Sequence, residues 1–184
     1  MSNTARNART AAAILEAAAH ALSEHGRSAN MANVAEAAGI SRATLYRYYP
    51  DRDALLEALS AQALAHAAAG LADAGLERAP VEEAIERIVR ALTAVGDRYA
   101  ALVRQQVEAA PGEIERLVAA PMRAVFARGI ESGLLRQDLP AEVLLELFGG
   151  TLVAALELIK RGQLGAEEAS AAAASVFLDG ARAR

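Results

Sequence analysis

Between Asn30 and Asp53 this chain has room only for short helices, and no other stretch constrains its fold as tightly. The segment reads NMANVAEAAGISRATLYRYYPDRD. Asn30 suits an N-cap, because its side-chain oxygen can accept from the open N–H groups of a first turn. A helix from Met31 to Ala38 would turn Val34, Ala35 and Ala38 inward. Gly39 ends it, since glycine enters the left-handed region that side chains disfavour. Ile40 anchors the turn, and Ser41 caps a third segment running to about Tyr48. Pro50-Asp51 breaks the chain, and a fourth helix begins at Asp51 or Asp53 with Leu55, Leu56 and Leu59 inward. Ahead of this run, residues 6–25 carry Ile14, Ala18 and Leu22 at four-residue spacing, with Leu15 alongside, and stop at Gly26. A polar link, Arg27-Ser28-Ala29, joins the two parts. Short helices around a glycine turn form a helix-turn-helix pattern.

The third helix carries an unusual load. The chain has 4 tyrosines, and Tyr46, Tyr48 and Tyr49 fall within one turn of each other. Leu45 and Tyr49 lie four apart on the face that holds Ile40, so Tyr49 is expected in the core. Arg42, Ala43, Tyr46 and Arg47 fall toward solvent. A helix laid in the major groove needs short residues for close approach, here Ala43. It needs arginine forks for guanine edges or phosphates. Rings and hydroxyls serve thymine methyls and phosphate oxygens, and a helix N-terminus favours a phosphate. Arg52, near the start of the fourth helix, is a second candidate phosphate clamp.

Charge supports one basic end. The chain of 184 residues has a net charge of −4. Its first 50 residues hold five arginines against three glutamates, a net of +2 that leaves −6 for the rest. A basic head on an acidic body suits a protein that meets phosphate at one end. Apolar residues make up 54%, chiefly alanine, the strongest helix former, so an all-α chain is expected. There is no cysteine, which excludes disulfides and thiolate chemistry. His20, His25 and His66 do not show metal spacing, and neither a phosphate loop nor a nucleophile elbow is present. No cofactor or metal is expected, nor is an enzyme. The N-terminus lacks an apolar core, and the apolar run Val143–Ile159 is interrupted by Glu146 and Glu157. No membrane segment and a cytoplasmic location follow as expectations.

Beyond residue 55 the pattern stays helical. The fourth helix runs to about Ala72. A helix opening at Pro80, with Glu82 and Glu83 in its first turn, is expected to break near Gly96 and resume to Ala109. Pro111-Gly112 reads as a turn. A helix over 113–132 is kinked or split at Pro121. Pro140 opens a long helix to Arg161 that is apolar on most sides, and a last helix covers about 166–181. The tally is about nine helices, with domains at 1–55 and 56–184.

The ordered combination Ile14-Leu15-Glu16-Ala17-Ala18, Val34-Ala35-Glu36-Ala37-Ala38-Gly39-Ile40-Ser41, Thr44-Leu45-Tyr46-Arg47-Tyr48-Tyr49 and Asp51-Arg52-Asp53-Ala54-Leu55-Leu56 closely resembles the DNA-binding domain of the TetR family of transcriptional regulators. It covers about residues 6–60. Three positions depart from that pattern: Asn30 where a threonine is usual, Arg52 where lysine is more frequent, and Tyr49 where phenylalanine is common. The resemblance implies DNA contacts from Asn30, Asn33, Ser41, Arg42, Ala43, Thr44, Tyr46, Arg47, Tyr48 and Arg52. It implies a homodimeric repressor on a palindromic operator, paired through the last two helices. The pairing residues would be Leu144, Leu147, Thr151, Leu152, Ala155, Ala169, Ala173, Val176 and Phe177. It also implies a small hydrophobic or amphipathic effector in a cavity lined by Tyr99, Leu102, Val103, Gln106, Met122, Phe126 and Phe148, with Arg104 and Glu108 suited to a charged ligand. The alternatives are a family member without a small-molecule ligand, controlled by a protein or acting as an activator, and a helical enzyme or interaction protein.

Overall fold

A computed structural model describes residues 3–103 and 111–183, and the described elements are helical throughout. The chain divides into two compact units. One runs to Ala63 and takes in a later segment from Arg98; the other begins with Leu64–Asp97 and resumes after that segment.

In the first unit α1 (Asn3–His25) is followed by a 3-10 turn at Gly26–Ser28, α2 (Met31–Ala37), α3 (Arg42–Tyr48) and the start of α4 (Arg52–Asp73). Each short helix is closed by its own sequence. The Asn30 side chain accepts from Ala32 N and Asn33 N, at 2.9 and 3.2 Å, while Asn33 Oδ1 accepts from Asn30 N at 3.0 Å, a reciprocal capping box. Gly39 adopts φ +64°. There Ile40 N donates to Ala35 O and Gly39 N to Glu36 O, both at 3.0 Å, the pair of bonds that closes a helix through a left-handed residue. Ser41 Oγ accepts from Thr44 N at 3.1 Å and starts α3. Ile14, Ala18 and Leu22 of α1, Val34 and Ala35 of α2, Leu45 of α3 and Leu55, Leu56 and Leu59 of α4 are buried. Tyr49 is buried too, and its hydroxyl donates to Ala11 O across a long 3.4 Å.

By length and composition α4 alone among the described helices could cross a membrane. That hydropathy comes from alanines and five leucines, and the leucines Leu55, Leu56, Leu59, Leu64 and Leu71 are already buried in the fold.

In the second unit α5 (Val81–Val103), which belongs to it as far as Asp97, α6 (Pro111–Ile114), a π-helical turn at Glu115–Ala119, α7 (Ala120–Glu131), α8 (Ala141–Lys160) and α9 (Ala166–Ala181) follow the end of α4. Two expectations from sequence need correction, and a third holds. The helix α5 does not break at Gly96. A Cβ there would sit 2.3 Å from Leu156 Cδ2, so this glycine marks a close approach of α8 rather than a stop. Pro111-Gly112 is not a turn but opens α6, where the missing proline N–H costs nothing. The stretch over 113–132 is split at Pro121 as expected: the π-helical turn ends at Ala119, and α7 begins at Ala120 with Pro121 in its first turn.

All three phenylalanines meet at the centre of this unit. Phe126, Phe148 and Phe177 form edge-to-face pairs with centroids 5.5, 5.6 and 5.0 Å apart, a geometry that sets positive ring edges against negative faces. Ile85, Ile88, Val89, Met122, Val125 and Leu144 surround them. One polar pair enters the core: Thr93 Oγ1 and Ser170 Oγ lie 2.7 Å apart. Thr93 Oγ1 also contacts Val89 O at 2.8 Å and Arg90 O at 3.2 Å, and Ser170 Oγ donates to Ala166 O at 2.7 Å. The Arg128 guanidinium donates to Glu77 O, Leu76 O and Ala79 O and so ties down the α4–α5 link. The chain end is held by a bridge between Leu135 and Arg182.

Candidate nucleic-acid interface

Seven residues make α3, and Leu45 alone among them is fully buried. Arg42, Ala43 and Arg47 are exposed, Tyr48 and Thr44 half-buried, and Tyr46 keeps 46% of its surface open to solvent. A tyrosine so open, immediately after a completely buried leucine, shows that the helix packs by one edge only. The Arg47 guanidinium lies 5.5 Å from the centre of the Tyr48 ring, within cation–π range, which holds its side chain along the exposed face.

A shallow hollow beside this helix is lined by Asn30, Met31, Ala32, Arg42, Tyr46 and Arg52. It brings together the start of α2, the outer face of α3 and the start of α4. Four of the residues singled out from sequence therefore share one concave surface. Asn33, Ser41 and Thr44 are placed differently. Asn33 Oδ1 and the Ser41 hydroxyl are engaged in capping, and Ser41 Oγ lies 2.9 Å from Thr44 Oγ1. Asn30 spends its oxygen on the cap and keeps its amide N–H groups for another partner.

Burial raises the pKa of Tyr49 above its ordinary value. A neutral ring below α3 leaves the charge of this surface to the arginines.

Of the residues assigned from sequence to an effector cavity, three have described side chains. Met122, Phe126 and Phe148 belong to the closed aromatic core, with 5%, 0% and 1% exposure. Gln106, Arg104 and Glu108 lie outside the described residues, as do the side chains of Tyr99, Leu102 and Val103. A separate cleft of about 560 Å³ opens in the second unit, between the end of α4 and the π-helical turn. Leu71, Leu76, Leu117 and Pro121 form its apolar lining, and Arg78 and Arg116 stand on it as well.

The pairing residues also divide. Leu144, Ala155, Ala169, Ala173 and Phe177 are buried within their own unit, so as surface for another molecule they are corrected. Leu147 and Val176 are 54% and 68% exposed, and Thr151 and Leu152 are half-buried. Val143 and Val153, which sequence reasoning did not separate from the core, are exposed at 40% and 52%. Their spacing of 143, 147 and 153 along α8 was the available signal, but in a helix apolar on nearly every side it does not stand out.

Capped short helices, a turn closed at Gly39 and an outward face of arginine and tyrosine define a helix-turn-helix DNA-binding protein. The profile of the bacterial regulatory proteins of the tetR family matches residues 14–59. The transcriptional repressor LfrR of Mycolicibacterium smegmatis is 40% identical over 93 residues, which cover 48% of this chain and 46% of that protein. The match thus spans about half the length of that relative. The transcriptional regulator NfxB of Pseudomonas aeruginosa is 28% identical over 173 residues, 91% of this chain and 92% of that protein. A TetR family transcription regulator from Marinobacter aquaeolei VT8 has the same fold at TM-score 0.74 and 26% identity, over 98% of this chain and 100% of that one. LfrR from Mycobacterium smegmatis, solved in complex with proflavine, gives TM-score 0.76 at 26% identity over 94% and 96%. Residues 14–59 thus carry a TetR-family DNA-binding domain, and the proteins this chain resembles along its length are named as transcriptional regulators.

Proposed function

We propose that this regulator is a repressor that binds a palindromic operator as a homodimer and leaves it when a small hydrophobic or amphipathic ligand binds. The observation that carries the reading is the double exposure just described. An arginine–tyrosine face on α3 is open in one unit, and Leu147, Val153 and Val176 are uncovered on α8 and α9 in the other. A lone helix-turn-helix reads one half-site, and two copies related by a two-fold axis read a palindrome. Uncovered leucine and valine on the last two helices offer the self-complementary surface that such an axis needs.

In the DNA-bound state Arg42, Tyr46 and Arg47 would meet base edges and phosphates in the major groove, with Ala43 allowing close approach. Asn30 and Arg52 would hold the flanking backbone. Tyr48 would brace Arg47. The ligand can release the operator only to the extent that it binds the free and DNA-bound states with different affinity. The cleft beside the π-helical turn is where such a ligand would enter, and the proflavine complex of the similar LfrR supports a small aromatic molecule as effector. Cytoplasmic location follows from the need to reach DNA.

Gel shift on the DNA upstream of the chain's own coding sequence tests this reading, combined with sedimentation at the same protein concentration. A retarded complex of two chains per operator, dissolved by an apolar dye, is the expected result. A monomeric complex or none at all overturns it. The closed Phe126–Phe148–Phe177 core favours one second reading, a family member with no small-molecule ligand. In that case no dye in a panel would shift melting temperature while operator binding stayed intact.

A further inference from the structure

The operator contacts described so far come from α2, α3 and the start of α4. The first helix carries a second basic site that these do not include. Residues 1–15 contain Arg6 and Arg9 and not one carboxylate. Both arginines are exposed on the first two turns of α1. Neither forms an ion pair among the described residues; Arg9 Nε makes only a long 3.4 Å contact to Ala5 O within its own helix. The first turn of α1 holds no acidic residue. Cations near the positive end of a helix oppose its dipole rather than complement it, so local stability does not account for them.

Their position supplies a reason. Arg6, Arg9, Thr10 and Ala13 lie three or four residues apart and so share one face of α1. That face lines a hollow together with Ala38 and Ile40, the residues on either side of the Gly39 turn. Ile40 is two residues from Arg42, the first residue of α3. In helix-turn-helix docking the N-terminal end of the recognition helix meets the base edges, so the turn that feeds it lies by the sugar–phosphate backbone. The α1 hollow shares no residue with the one lined by Asn30, Arg42, Tyr46 and Arg52. A second basic hollow thus adjoins the turn that leads into α3, and a major groove is flanked by two phosphate strands.

We infer that Arg6 and Arg9 form a second phosphate-binding site on duplex DNA, beside the helix-turn-helix turn. The site is sequence-independent. It raises affinity for the operator and for any other duplex through release of condensed counterions, and it adds no discrimination between them.

The test compares the full-length protein with Arg6→Gln, Arg9→Gln and with Arg6→Lys, Arg9→Lys, titrated on operator and on unrelated duplex from 50 to 200 mM salt. Each lost phosphate contact flattens the plot of log affinity against log salt by about 0.9. The glutamine pair should therefore lower the slope by about two and shrink the 50-to-200 mM affinity ratio about tenfold. It should do so equally on both DNAs, with melting temperature unchanged or slightly raised. The lysine pair should keep the slope, because a point charge serves where no base geometry is read. An unchanged slope in the folded glutamine pair overturns the inference. So does an equal loss in the lysine pair, which would show that charge is not what matters, or a loss confined to the operator, which would make the residues base readers. Wild-type binding with a salt slope of its own keeps the DNA-binding reading separate from this outcome.

Discussion

Leu144 and Leu147 sit three residues apart on α8, both leucines in the same apolar run, yet they answer to different partners. Leu144 is 1% exposed and Leu147 is 54% exposed. Full burial of a leucine or valine stabilises by about 1.5–3 kcal/mol, so a side chain still half open holds back about 1 kcal/mol. A two-fold axis doubles every contact, so covering Leu147 and Val176 at a dimer interface would contribute about 4 kcal/mol in total. Replacing both by glutamate removes that amount and adds the cost of burying charge. The dimer dissociation constant should rise at least about a thousandfold, since each 1.4 kcal/mol is a factor of ten. The isolated fold should barely respond, because both side chains are already in water. Leu144→Ala is the contrast: about 2–5 kcal/mol of folding stability is lost through the cavity it leaves, with no selective effect on pairing. Sedimentation over a concentration series measures the first effect and urea unfolding the second. If the Leu147→Glu, Val176→Glu chain pairs as tightly as wild type while folded, the exposed face is not the interface, and the reasoning fails.

Three further outcomes are expected. Arg47→Ala or Tyr46→Ala should each lower operator affinity by about 1–3 kcal/mol in a titration at fixed salt, the range for losing one base contact, and unchanged binding by both would remove them from the contact surface. Thr93→Val keeps the shape of a buried 1%-exposed side chain but deletes its hydroxyl; Ser170 can still donate to Ala166 O. Unfolding stability should fall by only about 1 kcal/mol, and a loss several times larger would mean the pair organises the α5–α9 contact rather than merely satisfying it. Burial raises the Tyr49 phenol above its ordinary value, so the folded chain holds that proton at alkaline pH where the unfolded chain has lost it. The contribution is present below about pH 10 and declines as pH rises through the unfolded value. Tyr49→Phe should remove that alkaline slope while costing little at neutral pH, because the 3.4 Å bond to Ala11 O is long; an unaltered pH profile would assign the slope to other groups.

How far a residue's role could be read ahead of the structure depended on the range of the interactions that decide it. The helix-turn-helix was legible because its determinants are local. Asn30, Ser41 and Gly39 act within four residues of themselves, and a cap or a positive φ is dictated by the type of side chain present or missing. The exposure of Tyr46 and Arg47 followed from one helical wheel. Gly96 misled because the same residue type serves two purposes, and only the Leu156 side chain arriving from sixty residues downstream showed which one applied. The split within α8 and α9 was equally out of reach. Leu144, Leu147, Phe148 and Val153 are alike in hydropathy, and which of them turns toward Phe126 and Phe177 is fixed by how the helices cross. Sequence alone determined where this chain starts and stops its short helices and which of their faces carries charge, because those are properties of neighbours along the backbone. Tertiary structure alone decided which apolar residues form the core and which stay open to a partner, because close packing is settled between elements that the chain order keeps apart.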